Sequence, residues 1–314
     1  MNRAKRPTLY FIGVSTGSSS IMRVFPAWAE FLGLERAAIQ GIDFPLHAEP
    51  SRYREAVAFI KSDPLSLGAL VTTHKIDLYD ACRDLFDVVD PHAALMGEAS
   101  CLSKRDGRLI AHAKDPITGG LTLDGFLPED HFARTGAEVF VMGAGGSAIA
   151  MTWHLMRRAR GADVPSGILV SDRDPARLAA LRRIHAQVES DVPCAYIDAR
   201  TPGANDAVLA RLRSGALVVN ATGLGKDAPG SPLTDTALFP ERGIVWELNY
   251  RGDLVFLAQA RAQQQVRGLQ IEDGWIYFLH GWTRIIAEVF DIEIPTAGPL
   301  FDEIARIAAA SATR

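Results

Sequence analysis

The run Val139-Phe140-Val141-Met142-Gly143-Ala144-Gly145-Gly146-Ser147-Ala148 leads a short apolar segment into a glycine turn of the form G-x-G-x-x-A. This spacing suits a dinucleotide pyrophosphate. Gly143 permits a tight turn, Gly145 lets the backbone approach the phosphates, and Ala148 allows close helix–strand packing. Ala144, Gly146 and Ser147 bring N–H groups to the positive end of the helix that the turn opens. Such a motif gains weight only in context, and here strand, turn and helix come in order with a second strand behind them. That second strand ends in Val170-Ser171-Asp172-Arg173-Asp174. Asp172 can bond a ribose 2′-hydroxyl, which favours NAD, whereas Arg173 can hold a 2′-phosphate, which favours NADP. Asp172 can equally be a plain cap for the helix starting at Pro175.

Two more reactive residues stand just beyond strands. Lys75 follows the buried segment Leu67–Thr72, and Asp115 follows Leu109–Ala113. In open α/β sheets the C-terminal strand edge is where ligands bind, so both are expected to face a crevice.

The elements that must position these residues follow a βα rhythm. Strands are expected at Leu9–Val14, Ala38–Phe44 and Leu67–Thr72, with helices at Ile21–Leu34, Tyr53–Ser62 and Leu78–Leu85. Glu98–Leu102 and Leu109–Ala113 flank Asp106-Gly107, a hairpin signal. After Pro116-Ile117-Thr118-Gly119-Gly120 and a linking helix, a second α/β series begins: strands at Glu138–Met142, Gly167–Ser171, Cys194–Ile197, Leu217–Asn220 and Ile244–Leu248, helices at Ser147–Arg160, Pro175–Ala186 and Ala204–Leu212. The chain closes in helices at Gly274–Val289 and Pro299–Ala309.

Composition is that of an ordinary globular protein: 314 residues, 48% apolar, 22% charged, net charge −4. The length fits about two domains. Without a basic stripe no nucleic-acid surface is expected, and no apolar stretch reaches membrane-span length. Cys82, Cys101 and Cys194 form no CxxC pair, and the eight histidines show no ligand spacing, so neither a disulfide framework nor a metal site is expected. Met1 to Thr8 is too short and basic for a signal peptide, which leaves the cytoplasm as the expected compartment.

Taken in order, several segments resemble the shikimate/quinate dehydrogenase family over nearly the whole chain. They are Val71-Thr72-Thr73-His74-Lys75, Gly97-Glu98-Ala99-Ser100-Cys101, Ala113-Lys114-Asp115, the glycine loop Gly143–Ala148, Asn220-Ala221-Thr222-Gly223-Leu224-Gly225, Glu247-Leu248-Asn249-Tyr250, and Gly274 to His280. The resemblance implies an α/β substrate-binding domain over residues 1–120, a Rossmann domain over 121–268 with a six-stranded parallel sheet, and C-terminal helices over 269–314 that return to the substrate domain. It also implies an NAD- or NADP-dependent oxidoreductase acting on a secondary alcohol of a cyclic hydroxy-acid, with Lys75 and Asp115 as the catalytic pair. Hydride transfer to nicotinamide requires loss of the hydroxyl proton; a Lys and an Asp flanking that hydroxyl can orient it and relay the proton, provided partial burial lowers the Lys pKa. Asn220 and Thr222 would border the cofactor, and Thr72, Ser100, Tyr250 and His280 the substrate. A role in aromatic amino-acid biosynthesis and a monomer or homodimer are in keeping with the resemblance.

The departures from the family pattern gather on the substrate side. The serine pair that grips a carboxylate falls at Ser19 and Ile21, or with a one-residue gap at Ser18 and Ser20; a plain helix cap is the competing reading. Family asparagines are replaced by Leu70, Ser100 and Ala113, and the helical carboxamide by His280, with a one-residue shift possible there. His280, on an aromatic helix, is either a core histidine or a substrate donor. Lys114 adds a positive charge beside Asp115, and His74 a titratable group beside Lys75. A less hydroxylated or amino-substituted acid is therefore an alternative substrate. A catalytically inactive cofactor-binding regulator is a third reading, against which the retained Lys75 and Asp115 stand.

Overall fold

The computed structural model describes residues 2–226 and 228–312 and divides the chain into two compact units. One runs up to Lys114 and resumes at Leu279; the other is Asp115–Phe278.

In the first unit β1 (Thr8–Gly13), α1 (Ile21–Phe31), β2 (Ala38–Asp43), α2 (Pro50–Ser62), β3 (Ser66–Val71) and α3 (Lys75–Cys82) alternate, followed by β4 (Val88–Val89), α4 (Pro91–Met96), β5 (Cys101–Arg105) and β6 (Arg108–His112). The sheet order is β2-β1-β3-β5-β6-β4, parallel from β1 to β2 and β3, antiparallel across β3–β5–β6. Every residue of β1 is buried, as in a strand covered on both faces. At the expected hairpin Arg105 pairs with Arg108, and Asp106 and Gly107 both take positive φ, 50° and 74°, the turn this dipeptide favours. The incoming strand starts at Cys101 rather than Glu98, because the Ala99 N–H is given to the Lys75 carbonyl at 3.1 Å instead of to the sheet.

The second unit opens with α5 (Asp115–Phe126) and α6 (His131–Thr135), then runs β7 (Val139–Met142), α7 (Gly146–Met156), β8 (Ile168–Asp172), α8 (Pro175–His185), β9 (Cys194–Asp198), α9 (Pro202–Leu209), β10 (Leu217–Asn220), β11 (Ile244–Glu247), α10 (Val255–Arg267) and β12 (Gln270–Glu272). Its six strands are ordered β12-β11-β10-β7-β8-β9 and every pairing is parallel. This is the doubly wound arrangement, with the order reversing between β7 and β10, the place where such sheets take their ligands. β7 and β10 are buried along their whole length. Two elements here escape a periodicity reading. α10 buries only Phe256, Leu257 and Ala260 and carries a run of glutamines, and β12 is three residues long with no apolar alternation. α7 also stops at Met156, short of Arg160, because Arg157 turns extended and a 3₁₀ turn follows.

The chain ends in α11 (Trp275–Phe290), inside which the division between the units falls, and α12 (Pro299–Ala312). α12 returns to α1: the buried Trp28 indole donates to the Ile304 carbonyl at 2.9 Å and Arg23 donates to Ala312 at 2.8 Å.

Candidate functional site

The glycine loop sits at the C-terminal end of β7, beside the reversal in strand order. Gly143 has φ +101°, and a Cβ there would lie 2.6 Å from the Ala221 carbonyl oxygen, so the turn after β10 excludes any side chain at this position. A Cβ at Gly145 would meet nothing within 4 Å, so the backbone there borders open space. Gly145 caps α7 without a side-chain bond, and Gly146, Ser147 and Ala148 form its first turn. This is the geometry of an anion site made of N–H groups and a helix dipole. Ala148 is fully buried against the sheet.

Asp172 ends β8 and turns back to this loop. Its Oδ2 accepts from the Ala144 N–H at 2.7 Å and its Oδ1 from the Asp174 N–H at 2.9 Å. The helix cap is Asp174, whose carboxylate accepts from the Ala176 N–H at 2.9 Å, so the capping alternative for Asp172 does not hold. Arg173 is exposed beside it.

Beyond β10, the Asn220 carboxamide is consumed by its own turn. Its oxygen accepts from the Thr222 N–H and hydroxyl at 3.1 and 2.7 Å, and its nitrogen donates to Glu247 at 2.7 Å. Glu247 is fully buried at the end of β11 and also receives the Asn249 N–H and side-chain amide at 2.9 and 2.7 Å. Burial pushes the Glu247 carboxyl up to about 7, against the lowering effect of those three donors. Asn220 and Thr222 thus shape the wall that faces Gly143, and Glu247 binds that wall to the loop after β11. Tyr250 follows on this loop, half-buried against Phe278 and Trp275.

Asp115, the first residue of α5, is 7% exposed. The Ser147 hydroxyl lies 3.4 Å from its Oδ2, the Tyr277 hydroxyl 3.4 Å from the same oxygen, and the two hydroxyls are 3.1 Å apart. The Ser147 side chain is therefore turned to Asp115, while its backbone stays in the α7 turn. Tyr277 was not among the residues expected from the sequence: it lies 162 positions from Asp115 and 130 from Ser147, with no local signal linking them.

In the first unit Lys75 begins α3, half-buried, one step beyond the buried His74. The turn that delivers it holds Thr73 at φ +64°, rare for a β-branched residue and a kind of local strain that gathers at functional sites. Thr72 extends β3, its N–H bonded to the Ile12 carbonyl at 2.9 Å. His74 packs on Phe44 and bonds Tyr53 at 2.9 Å, and burial lowers its pKa. Ser100 is buried and its hydroxyl accepts the Lys114 N–H at 2.7 Å, so it serves the backbone. Ala113 is fully buried and Leu70 nearly so. The Lys114 ammonium pairs with Glu288 of α11 at 2.7 Å, so the positive charge it adds has a carboxylate partner. Neither Ser18 nor Ser19 caps α1: the exposed Ser18 hydroxyl donates to the Ser15 carbonyl at 3.0 Å, Ser19 is buried, and Ser20 at the cap makes no side-chain bond. His280 is 4% exposed and stacked on Phe301 of α12 with centroids 4.7 Å apart; burial lowers its pKa to about 4, so it is neutral at pH 7 and sits in helix packing.

No protein-family model matches the chain. It is 30% identical over 204 residues to a shikimate dehydrogenase (NADP(+)) of Symbiobacterium thermophilum, a match that covers 64% of each chain and so less than two thirds of that relative. It is 28% identical over 253 residues, 78% of each chain, to the shikimate dehydrogenase (NADP(+)) of Thermus thermophilus. The crystal structure of the Thermus thermophilus protein with NADP(H) and shikimate superposes with a TM-score of 0.66 at 25% identity, covering 96% of this chain and 99% of that one. The quinate dehydrogenase of Corynebacterium glutamicum in complex with NAD superposes with a TM-score of 0.70 at 20% identity over 97% of this chain and 99% of that one, a likeness of fold. The chain is thus similar in sequence to shikimate dehydrogenases and shares their fold.

Proposed function

We propose that the protein is an NAD(P)-dependent oxidoreductase that moves a hydride between nicotinamide and a secondary alcohol of a cyclic hydroxy-acid, as the names of its relatives indicate for them. The observation that carries this reading is the glycine loop: Gly143 is forced by its φ and by the Ala221 carbonyl, and the α7 N-terminus opens beside the reversal in strand order. In this reading Asp115–Phe278 is the cofactor domain and the remainder the substrate domain. Lys75 and Asp115 are the pair that orients the hydroxyl and moves its proton, with Thr72 and Tyr250 beside the substrate. The three cysteines, all free, support a reducing compartment, which we take to be the cytoplasm.

NAD is the preferred cofactor in this proposal. A carboxylate already fixed at the end of β8 accepts a ribose 2′-hydroxyl and repels a 2′-phosphate, and it outweighs the exposed Arg173. Titration of intrinsic tryptophan fluorescence with NAD and NADP tests this: tighter binding of NAD is expected, and tighter binding of NADP would transfer the assignment to Arg173.

A second reading, a less hydroxylated substrate, is favoured by Leu70 and Ala113 together with a Ser100 hydroxyl occupied by the Lys114 N–H. Each polyol hydroxyl left unpaired in a closed site costs about 1–3 kcal/mol.

A further inference from the structure

We propose that Tyr277 is a positioning residue for Asp115, and that Tyr277 and Ser147 together tie this carboxylate to the first turn of the cofactor-loop helix. The inference rests on the reading of Asp115 as a catalytic carboxylate. Three oxygens form a triangle with edges of 3.1, 3.4 and 3.4 Å, and they come from the first turns of three helices, α5, α7 and α11.

Hydrogens are limiting in that triangle. An ionised carboxylate has none, and each hydroxyl has one. Both hydroxyls donate to Asp115 Oδ2, or one hydroxyl donates to the other and the second donates to Asp115, in either order. In each arrangement the carboxylate only accepts, which fixes its rotamer. The edges are long for O–H···O bonds.

The Tyr277 ring is held in place from behind. It packs edge-to-face on Trp246, centroids 5.7 Å apart, and Trp246 also meets Phe126 at the end of α5 at 5.3 Å. One turn before Tyr277, a side chain at Gly274 would overlap the Leu248 carbonyl, so α11 starts pressed against the loop after β11. A phenylalanine at position 277 would keep all of this packing and lose only the hydroxyl. The charged neighbour in sequence, Lys114, is paired with Glu288 at 2.7 Å and does not replace that hydroxyl.

The test reads the carboxylate directly. In protein labelled with ¹³C-aspartate, the Asp115 carboxyl resonance is identified by its loss in Asp115→Asn and compared at one pH in the wild type and in Tyr277→Phe, with Ser147→Ala as the second variant. Loss of a hydroxyl donor is expected to shift that resonance in both variants. With shikimate or quinate as the assayed alcohol, turnover is expected to fall roughly tenfold, the size of one hydrogen bond to a charged group, while cofactor affinity changes less than about twofold. An unmoved Asp115 resonance in both variants overturns the proposal, whatever the enzyme assay gives. Full turnover in Asp115→Asn would instead remove the catalytic reading of Asp115 and leave the triangle as a structural tie.

Discussion

The strand edge after β7 and the strand edge after β3 are built on different principles. After β7 the site is made of backbone: a glycine that no other residue can replace, a helix N-terminus, and a turn held by the Asn220–Glu247–Asn249 cluster. After β3 the site is made of side chains, and at several of those positions the side chain is apolar or occupied: Leu70, Ala113, and Ser100 bound to the Lys114 N–H. A backbone site keeps its function under wide sequence change because its ligand contacts are not side chains. A side-chain site changes its ligand whenever one of its residues changes. If the proposed assignment holds, the edge after β7 is expected to be conventional and the edge after β3 particular to this chain.

The largest effect that would sharpen this contrast is at Lys75. Lys75→Ala should lower turnover by roughly two to four orders of magnitude while leaving cofactor affinity unchanged, as a general base on the substrate side would. Asp115→Asn should reduce turnover more than it reduces stability. Turnover and cofactor binding falling together in Lys75→Ala would erase the distinction between the two edges.

A smaller effect is expected at Glu247, on the backbone-built side. Its carboxyl is raised to about 7 from an ordinary 4.5 by burial. The folded protein then holds the proton after the unfolded chain has released it, so the contribution is full below pH 4.5 and is lost as pH rises to 7. The full shift corresponds to about 3 kcal/mol. Denaturant unfolding of the wild type and Glu247→Gln across this range should give curves that diverge by an amount of that order, and parallel curves would show that Glu247 ionises normally.

The same contrast explains what was legible in the sequence. Gly143, Gly145 and Ala148 announce a local turn, and Asp106-Gly107 a hairpin, because each is decided by a few adjacent residues. β7 and β10 of the second sheet are nearly continuous apolar runs and read as such. β12 and α10 did not read, one being too short and the other too polar. Lys114 next to Asp115 looked like a charge in the site, but its partner Glu288 lies 174 positions away. Tyr277 next to His280 looked like one more aromatic of a packed helix, and only the fold brings its hydroxyl to Asp115. His280, weighed as a donor, lies stacked on Phe301. Contacts of this range leave no pattern in a linear sequence.

Nicotinamide-dependent oxidation of a cyclic hydroxy-acid is tested most directly by the absorbance of the reduced cofactor. The purified protein is mixed with NAD or NADP and, separately, shikimate, quinate, an amino-substituted relative and simpler hydroxy-acids. Reduction of the cofactor by at least one cyclic acid is expected, faster with NAD than with NADP and slowed by roughly two to four orders of magnitude in Lys75→Ala. Cofactor binding with no reduction by any member of the panel would contradict it, and would leave a nucleotide-binding protein on this fold.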